Sequence, residues 1–348
     1  MRDDSMTDAA LDVLAAYGPD LRNGLTSHAP MVVDALAALG RADAVMPWLE
    51  RYRAGMLPRP TPREPIPRDA WRTALGHEDR CADWSAFFAD ELAGASWRDV
   101  LTLWIPRLAP AVCASATHGV LRVGHAARSL GHGETPARLQ ELAAGLGYWA
   151  AAHQTLSTGS GPRRGLRAHA AIASVPIVPP AERRFDGTIV SSLAGLEAFP
   201  PFAGVIELLD VSGDPAGVLS EMTEVFARVF LANARDTLSA IVFVHAVTSA
   251  AALRSLLPYL SVEVAREATR FAWQAGCALY ATFGSAPAAV GPIEPPRESP
   301  DSLVDMAIAH GDDHAIKFTE ACLREHAIAP SNAYLAATRQ AIGLLVPA

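Results

Sequence analysis

Apolar residues recur at spacings of three and four along nearly the whole chain. Leu11-Leu14, Val32-Leu36-Leu39, Leu139-Leu142-Leu146 and Leu219-Met222-Val225-Val229 are instances. That period places one face of an α-helix against a core, whereas alternation over a strand length is hard to find. The best strand candidates, 203–211 (AGVIELLDV) and 241–244, are short and also fit a helical period. Helix starts are marked by Asp99 before VLTLWI, by Thr135-Pro136 before ARLQELAAGLGYWAAAHQ, and by Asp236-Thr237 before the most apolar segment. Three proline-rich stretches, 58–67, 175–180 and 285–300, read as loops. None is flanked by a shift in composition, and no repeat is visible. The pattern predicts an all-α fold of about a dozen helices in a single domain, 1–348.

Composition narrows the function classes. Of 348 residues, half are apolar and 19% are charged, so the chain has the means to bury a large core. The net charge is −8 with no basic stripe, which excludes nucleic acid as the expected partner. The start, Met1-Arg-Asp-Asp-Ser-Met6, lacks the basic and apolar regions of a secretory signal. The most apolar window, 240–260, carries His245 and Arg254 and reads as a buried helix rather than a membrane span. Cys81, Cys113, Cys277 and Cys322 form no CxxC pair, which suits free thiols in a reducing cytoplasm. No Walker A motif or GxSxG is present. The glycine-rich segment Gly159–Gly165 has the wrong spacing for a dinucleotide loop.

The histidines carry more information. His310, His314 and Lys317 fall at i, i+4 and i+7, which on one continuous helix is one face and a usual way to offer two imidazoles to a metal. The competing reading is a helix start there, with Asp312 or Asp313 as N-cap and His310 outside it. His118 and His125, seven apart, share a helical face that is otherwise small and apolar. Each reads equally as a core histidine bonded to a carbonyl. His245 lies inside the most apolar helix, where an imidazole needs a partner, either a hydroxyl, a carbonyl or a metal. His28 stands at the mouth of the helix through Leu39. A helical bundle can bring such residues to one centre. His77, His132, His153, His169 and His326 lie in polar or turn-like contexts and read as surface residues.

Lys and Arg together number 29, and Lys317 is the one lysine among them. Arginine cannot act as a Schiff-base nucleophile, a general base or a carbamylated metal ligand, and lysine can act as each of them. Its place one turn from His314 favours the ligand reading over a surface lysine left by chance.

The segments 25–41 (LTSHAPMVVDALAALGR), 116–130 (ATHGVLRVGHAARSL), 141–150 (ELAAGLGYWA), 243–260 (FVHAVTSAAALRSLLPYL) and 312–321 (DDHAIKFTEA) resemble the questin oxidase-like family, whose fungal members oxidatively open anthraquinone and related polyketide rings. The resemblance implies a non-haem Fe(II) centre without flavin, with O2 as co-substrate. It also implies ligation by His28, His118, His245 and His314, and a carboxylate from carboxylated Lys317. His125 stands where the fungal pattern has an aromatic residue and becomes, with His310, an acid–base candidate. Trp104, Tyr148, Trp149, Phe243 and Phe271 are candidates to stack a planar polycyclic substrate. Three other readings remain: an NADPH-assisted monooxygenase without metal, a non-enzymatic helical binder of aromatic metabolites, and a Schiff-base enzyme acting through Lys317. No membrane is expected as a partner, and the oligomeric state is left open.

Overall fold

The most apolar segment becomes the central helix of the bundle. Asp236 and Ser239 form a reciprocal capping box at its start, so the expected helix begins where the sequence marks it. By length and composition Thr237–Tyr259 is apolar enough to cross a membrane, yet 78% of its most apolar window is buried inside the fold. The computed structural model describes residues 5–159 and 164–348. Residues 1–4 and residues 160–163, which include parts of the chain start and of the glycine-rich segment read above, lie outside the described residues.

The described residues form fifteen α-helices, more than the dozen expected. They are α1 (Ser5–Leu14), α2 (Ala29–Ala38), α3 (Val45–Tyr52), α4 (Cys81–Gly94), α5 (Trp97–Leu108), α6 (His118–His132), α7 (Pro136–Ala151), α8 (Ala168–Ile172), α9 (Ile189–Ala194), α10 (Pro215–Asn233), α11 (Thr237–Arg254), α12 (Val262–Phe283), α13 (Pro300–His310), α14 (Asp313–Ile328) and α15 (Asn332–Leu344). The fold is all-α apart from one antiparallel pair, β1 (Tyr17–Leu21) with β2 (Met56–Pro58). Neither strand was foreseen, because YGPDL and MLP are too short and too rich in Gly and Pro to show alternation. Of the strand candidates, most turned helical, while Leu209 forms an isolated parallel bridge with Leu166. Residues 241–244 lie inside α11, and 203–207 continue a 3₁₀ turn that starts at Pro200.

Two further boundaries differ from expectation. Helix α5 starts at Trp97, capped by Ser96, so Asp99 sits in its first turn rather than before it. The run around His310 is broken: α13 ends at His310, Gly311 takes a left-handed φ of 79°, and Asp312 caps α14 through the Ala315 amide. Glycine adopts that conformation without a Cβ clash, so one helix ends and the next begins across a single joint. His310 therefore does not share a helix with His314 and Lys317.

Helices α2, α6, α11 and α14 pack as a closed ring, each against the next. A small second core of Leu11, Leu14, Val32, Leu36, Trp48 and Ile316 seals the α2–α14 side. The α6–α11 contact is close because position 124 is glycine: a Cβ there would lie 2.5 Å from the Ala252 carbonyl oxygen. The neighbour is backbone and cannot swing aside. Gly124→Ala should therefore force α6 and α11 apart and destabilise the protein by about 1–3 kcal/mol. Urea unfolding monitored by circular dichroism checks this, and an unchanged midpoint would refute the close-packing argument.

Candidate metal centre

Each helix of the ring contributes a histidine. His28 is the N-cap residue of α2, His118 the first residue of α6, His245 lies mid-way along α11, and His314 is in the first turn of α14. The rings meet. Centroid separations are 4.6 Å for His28–His118 and for His28–His314, 4.8 Å for His118–His245 and 5.4 Å for His245–His314. Ligand atoms of His28, His245 and His314 all lie within 4.8 Å of one another. The Nε2 atom of His118 is 2.5 Å from that of His28 and 3.2 Å from that of His245. All four residues expected as ligands are thus brought together, three of them buried and His314 nearly so.

The outward nitrogens fix the tautomers. His118 Nδ1 is hydrogen-bonded to the Ser115 carbonyl, and His245 Nδ1 lies 2.7 Å from the Ile241 carbonyl. A carbonyl oxygen only accepts, so both Nδ1 atoms carry the proton and both Nε2 atoms of the neutral rings are bare. His28 and His314 turn their Nδ1 atoms to the two oxygens of one carboxylate. His28 is 3.0 Å from Asp313 Oδ2, and His314 is 2.7 Å from Asp313 Oδ1. The Asp313 carboxylate thus faces the Nδ1 edge of both rings and orients them. The sequence reading missed Asp313 in this role and saw it only as a cap candidate. Its position directly before His314 was the available signal.

Electrostatics keep the rings of His28, His118 and His245 neutral. Burial, then the Lys317 ammonium, push His28 down to about 3. Burial and the neighbouring imidazoles hold His118 and His245 well below the usual histidine range. Burial alone would raise the Asp313 carboxyl, but His28 and His314 keep it well below its ordinary value. Neutral rings with protons outward leave bare lone pairs facing one another, which is repulsive unless a cation lies between them. A metal bonded at about 2.1 Å to two imidazoles roughly at right angles holds their nitrogens about 3 Å apart. The His118–His245 spacing fits, while the tighter His28–His118 contact must open by a few tenths of an ångström.

Lys317 projects from α14 one turn beyond His314 and is 2% exposed. Among the described residues it makes no hydrogen bond or close ion pair. Burial lowers its pKa to about 8 against the opposing pull of Asp313 and Asp312. Burial thus makes the neutral amine, the form that takes up CO2, more accessible near neutral pH than in an exposed lysine.

The loop before His118 is conformationally special. Ser115, Ala116 and Thr117 are consecutive non-glycine residues at positive φ, 47°, 53° and 72°. Each costs on the order of 1–2 kcal/mol, and such strain collects where surroundings demand a geometry. Here it presents the Ser115 carbonyl to His118 and the Ser115 hydroxyl to Tyr148, which also bonds Thr26 at 2.7 Å. Tyr52 supports the other side, its hydroxyl accepting the His28 amide at 2.9 Å.

The two remaining site candidates fall elsewhere. His125, two turns along α6, donates to Asp34 at 2.8 Å within a buried network of Arg128 and Glu320. His310 Nε2 lies 3.2 Å from the Leu345 carbonyl, and its ring is not among those in contact at the centre. Of the aromatic candidates, Trp104 packs among Trp71, Trp84, Phe87 and Phe88, and Trp149 donates to the Ala111 carbonyl. Phe243 is fully buried and Phe271 half-buried in the main core, so only Tyr148 is tied by hydrogen bonds to the segments that bear the centre. His77, His132 and His169 are exposed as expected, whereas His153 and His326 are half-buried. No family model matches the chain and no curated protein matches it, so the functional reading rests on this geometry and on the sequence segments themselves.

Proposed function

We propose that the protein is a non-haem iron oxygenase that uses O2 to cleave a C–C bond in a ring of an aromatic polyketide or quinone. His28, His118, His245 and His314 would hold Fe(II), with carboxylated Lys317 as an oxygen ligand. The observation that carries this is the pair of bare Nε2 atoms of His118 and His245 facing each other at 3.2 Å. Imidazoles with a hard carboxylate suit iron, and the bound ion supplies the one-electron chemistry with O2 that side chains lack.

The chain's own residues do the remaining work. Asp313 orients two imidazoles at once and offsets the positive charge of the centre. The Lys317 amine, once neutral, adds to CO2 through its lone pair and releases one proton, which converts a would-be cation into a carboxylate. His28, His118, His245, His314 and a carboxylated Lys317 would hold the ion, which would supply the site where O2 or substrate reacts. The apolar wall built by the ring of helices keeps bulk water away. The four cysteines are all free, three of them buried, and a reducing cytoplasm is the compartment this reading assigns.

Metal analysis of the purified protein is the test. Iron near one ion per chain is expected, falling to background in Lys317→Arg, because a guanidinium keeps the charge but cannot become a carboxylate. Wild-type protein without iron, or Lys317→Arg with full iron, overturns the proposal.

A further inference from the structure

A cavity of about 240 Å³ is lined by none of the four clustered histidines but by other residues, among them Tyr17, Pro19, Pro60 and Ala144 as apolar walls. Two guanidiniums also line it, Arg59 and Arg122. Arg122 is committed: its Nε and an Nη atom reach the two oxygens of Glu141 at 2.6 and 2.8 Å. Arg59 makes no side-chain hydrogen bond or ion pair among the described residues, although it is half-buried. Cys81, on the same wall, does not supply the missing negative charge, because burial pushes its thiol up to about 11. Glu141 acts on Arg59 only from beyond hydrogen-bond reach, so the Arg59 guanidinium lines the cavity without a direct partner.

Helix α7 connects the cavity wall with the segments that bear the histidines. Gln140 and Ala144 line it from α7, and Tyr148 follows one turn later on the same helical face. The Tyr148 hydroxyl bonds Thr26, two residues before His28, and Ser115, whose carbonyl holds His118.

We propose that this cavity binds a planar aromatic carboxylate, its ring between Tyr17 and the proline walls and its carboxylate on the free guanidinium of Arg59. A guanidinium fork matches a carboxylate in two parallel hydrogen bonds, and a half-buried cation without a partner is the natural place for one. What happens to the bound molecule rests on the oxygenase reading above, but its binding does not.

Titration calorimetry with 2-naphthoate, and with uncharged 2-naphthamide, on the full chain tests this. Wild-type protein should bind 2-naphthoate at least about tenfold more tightly than 2-naphthamide, and Arg59→Gln should lose about tenfold for 2-naphthoate alone. Arg59→Lys should recover part of that loss. Ala82→Phe, which fills the cavity, should weaken both probes while the thermal midpoint holds. Absence of 2-naphthoate binding, equal affinity for the two probes, or an unaffected Arg59→Gln overturns the proposal. Metal content is read in the same samples. A metal-free wild type that still binds 2-naphthoate through Arg59 removes the oxygenase reading and leaves this one standing. An iron-loaded protein indifferent to Arg59→Gln does the reverse.

Discussion

Replacing His118 with Leu should abolish metal binding and, with it, the metal's stabilisation of the fold. His118 is the ring that touches two others through Nε2. Without it, two of the closest nitrogen pairs vanish and the ligand set loses its bridge between α2 and α11. In wild-type protein a bound ion at a thousandfold its Kd stabilises the fold by about 4 kcal/mol, and chelation should lower Tm by several degrees. In His118→Leu, chelation should change nothing. The stripped proteins should rank the other way. Leucine is close in volume and removes a bare lone pair from a crowd of lone pairs, so stripped His118→Leu should melt at or above stripped wild type. Calorimetric scans with and without chelator give all four midpoints. Identical midpoints for loaded and stripped wild type would sink the metal centre.

Arg128→Met should cost about 3–5 kcal/mol, the largest loss from any single side chain outside the centre. Arg128 pairs with Asp34 on α2 and Glu320 on α14, both carboxylates being almost fully buried. Removing it leaves two interior anions, of which Glu320 retains only the more distant Arg324 at 3.6 Å. The loss should depend on pH. Arg128 helps to depress His125, after burial, while Asp34 pulls the other way. In the variant that repulsion is gone and His125 should gain a proton beside Asp34, with a folded-state pKa above its unfolded value. Stability from such a group is present below the unfolded value of about 6.5 and fades as pH rises through the folded one. The deficit should thus be smaller at pH 5.5 than at pH 8, by about 1 kcal/mol. Urea titrations at both values check it, and a double variant with Asp34→Asn should recover part of the loss through non-additivity.

Why the ring of histidines was legible and its supports were not follows from what each residue type reveals alone. A histidine among Phe243, Val244 and Val247 is conspicuous, since burial of an imidazole demands a partner. His245 therefore stood out, as did α11 with its Asp236 cap, whereas the grouping of His28, His118, His245 and His314 as one set came from the family resemblance. Asp34, Arg128 and Glu320 are ordinary charges at helical spacing, and only the meeting of α2, α6 and α14 shows that they are buried together. The left-handed run Ser115–Thr117 carries no glycine and gave no local sign of its geometry. The joint at Gly311 was ambiguous: HxxxH favoured one helix, while Gly followed by two Asp favoured an end and a new start. The backbone preference of glycine decided it.

The ring of four helices also dictates an order of events during synthesis. Its four histidines span the chain from residue 28 to residue 314, and the contacting pairs His28–His118 and His118–His245 are themselves 90 and 127 residues apart. Local helices form early, whereas contacts so distant along the chain come late, after loop closure has been achieved. Three of the imidazoles leave the ribosome long before α14 brings His314, Asp313 and Lys317. Any ion captured before then meets an incomplete set with no carboxylate to offset its charge. On the proposed iron reading, loading would report that the polypeptide has been finished, and chains interrupted before α14 should emerge empty.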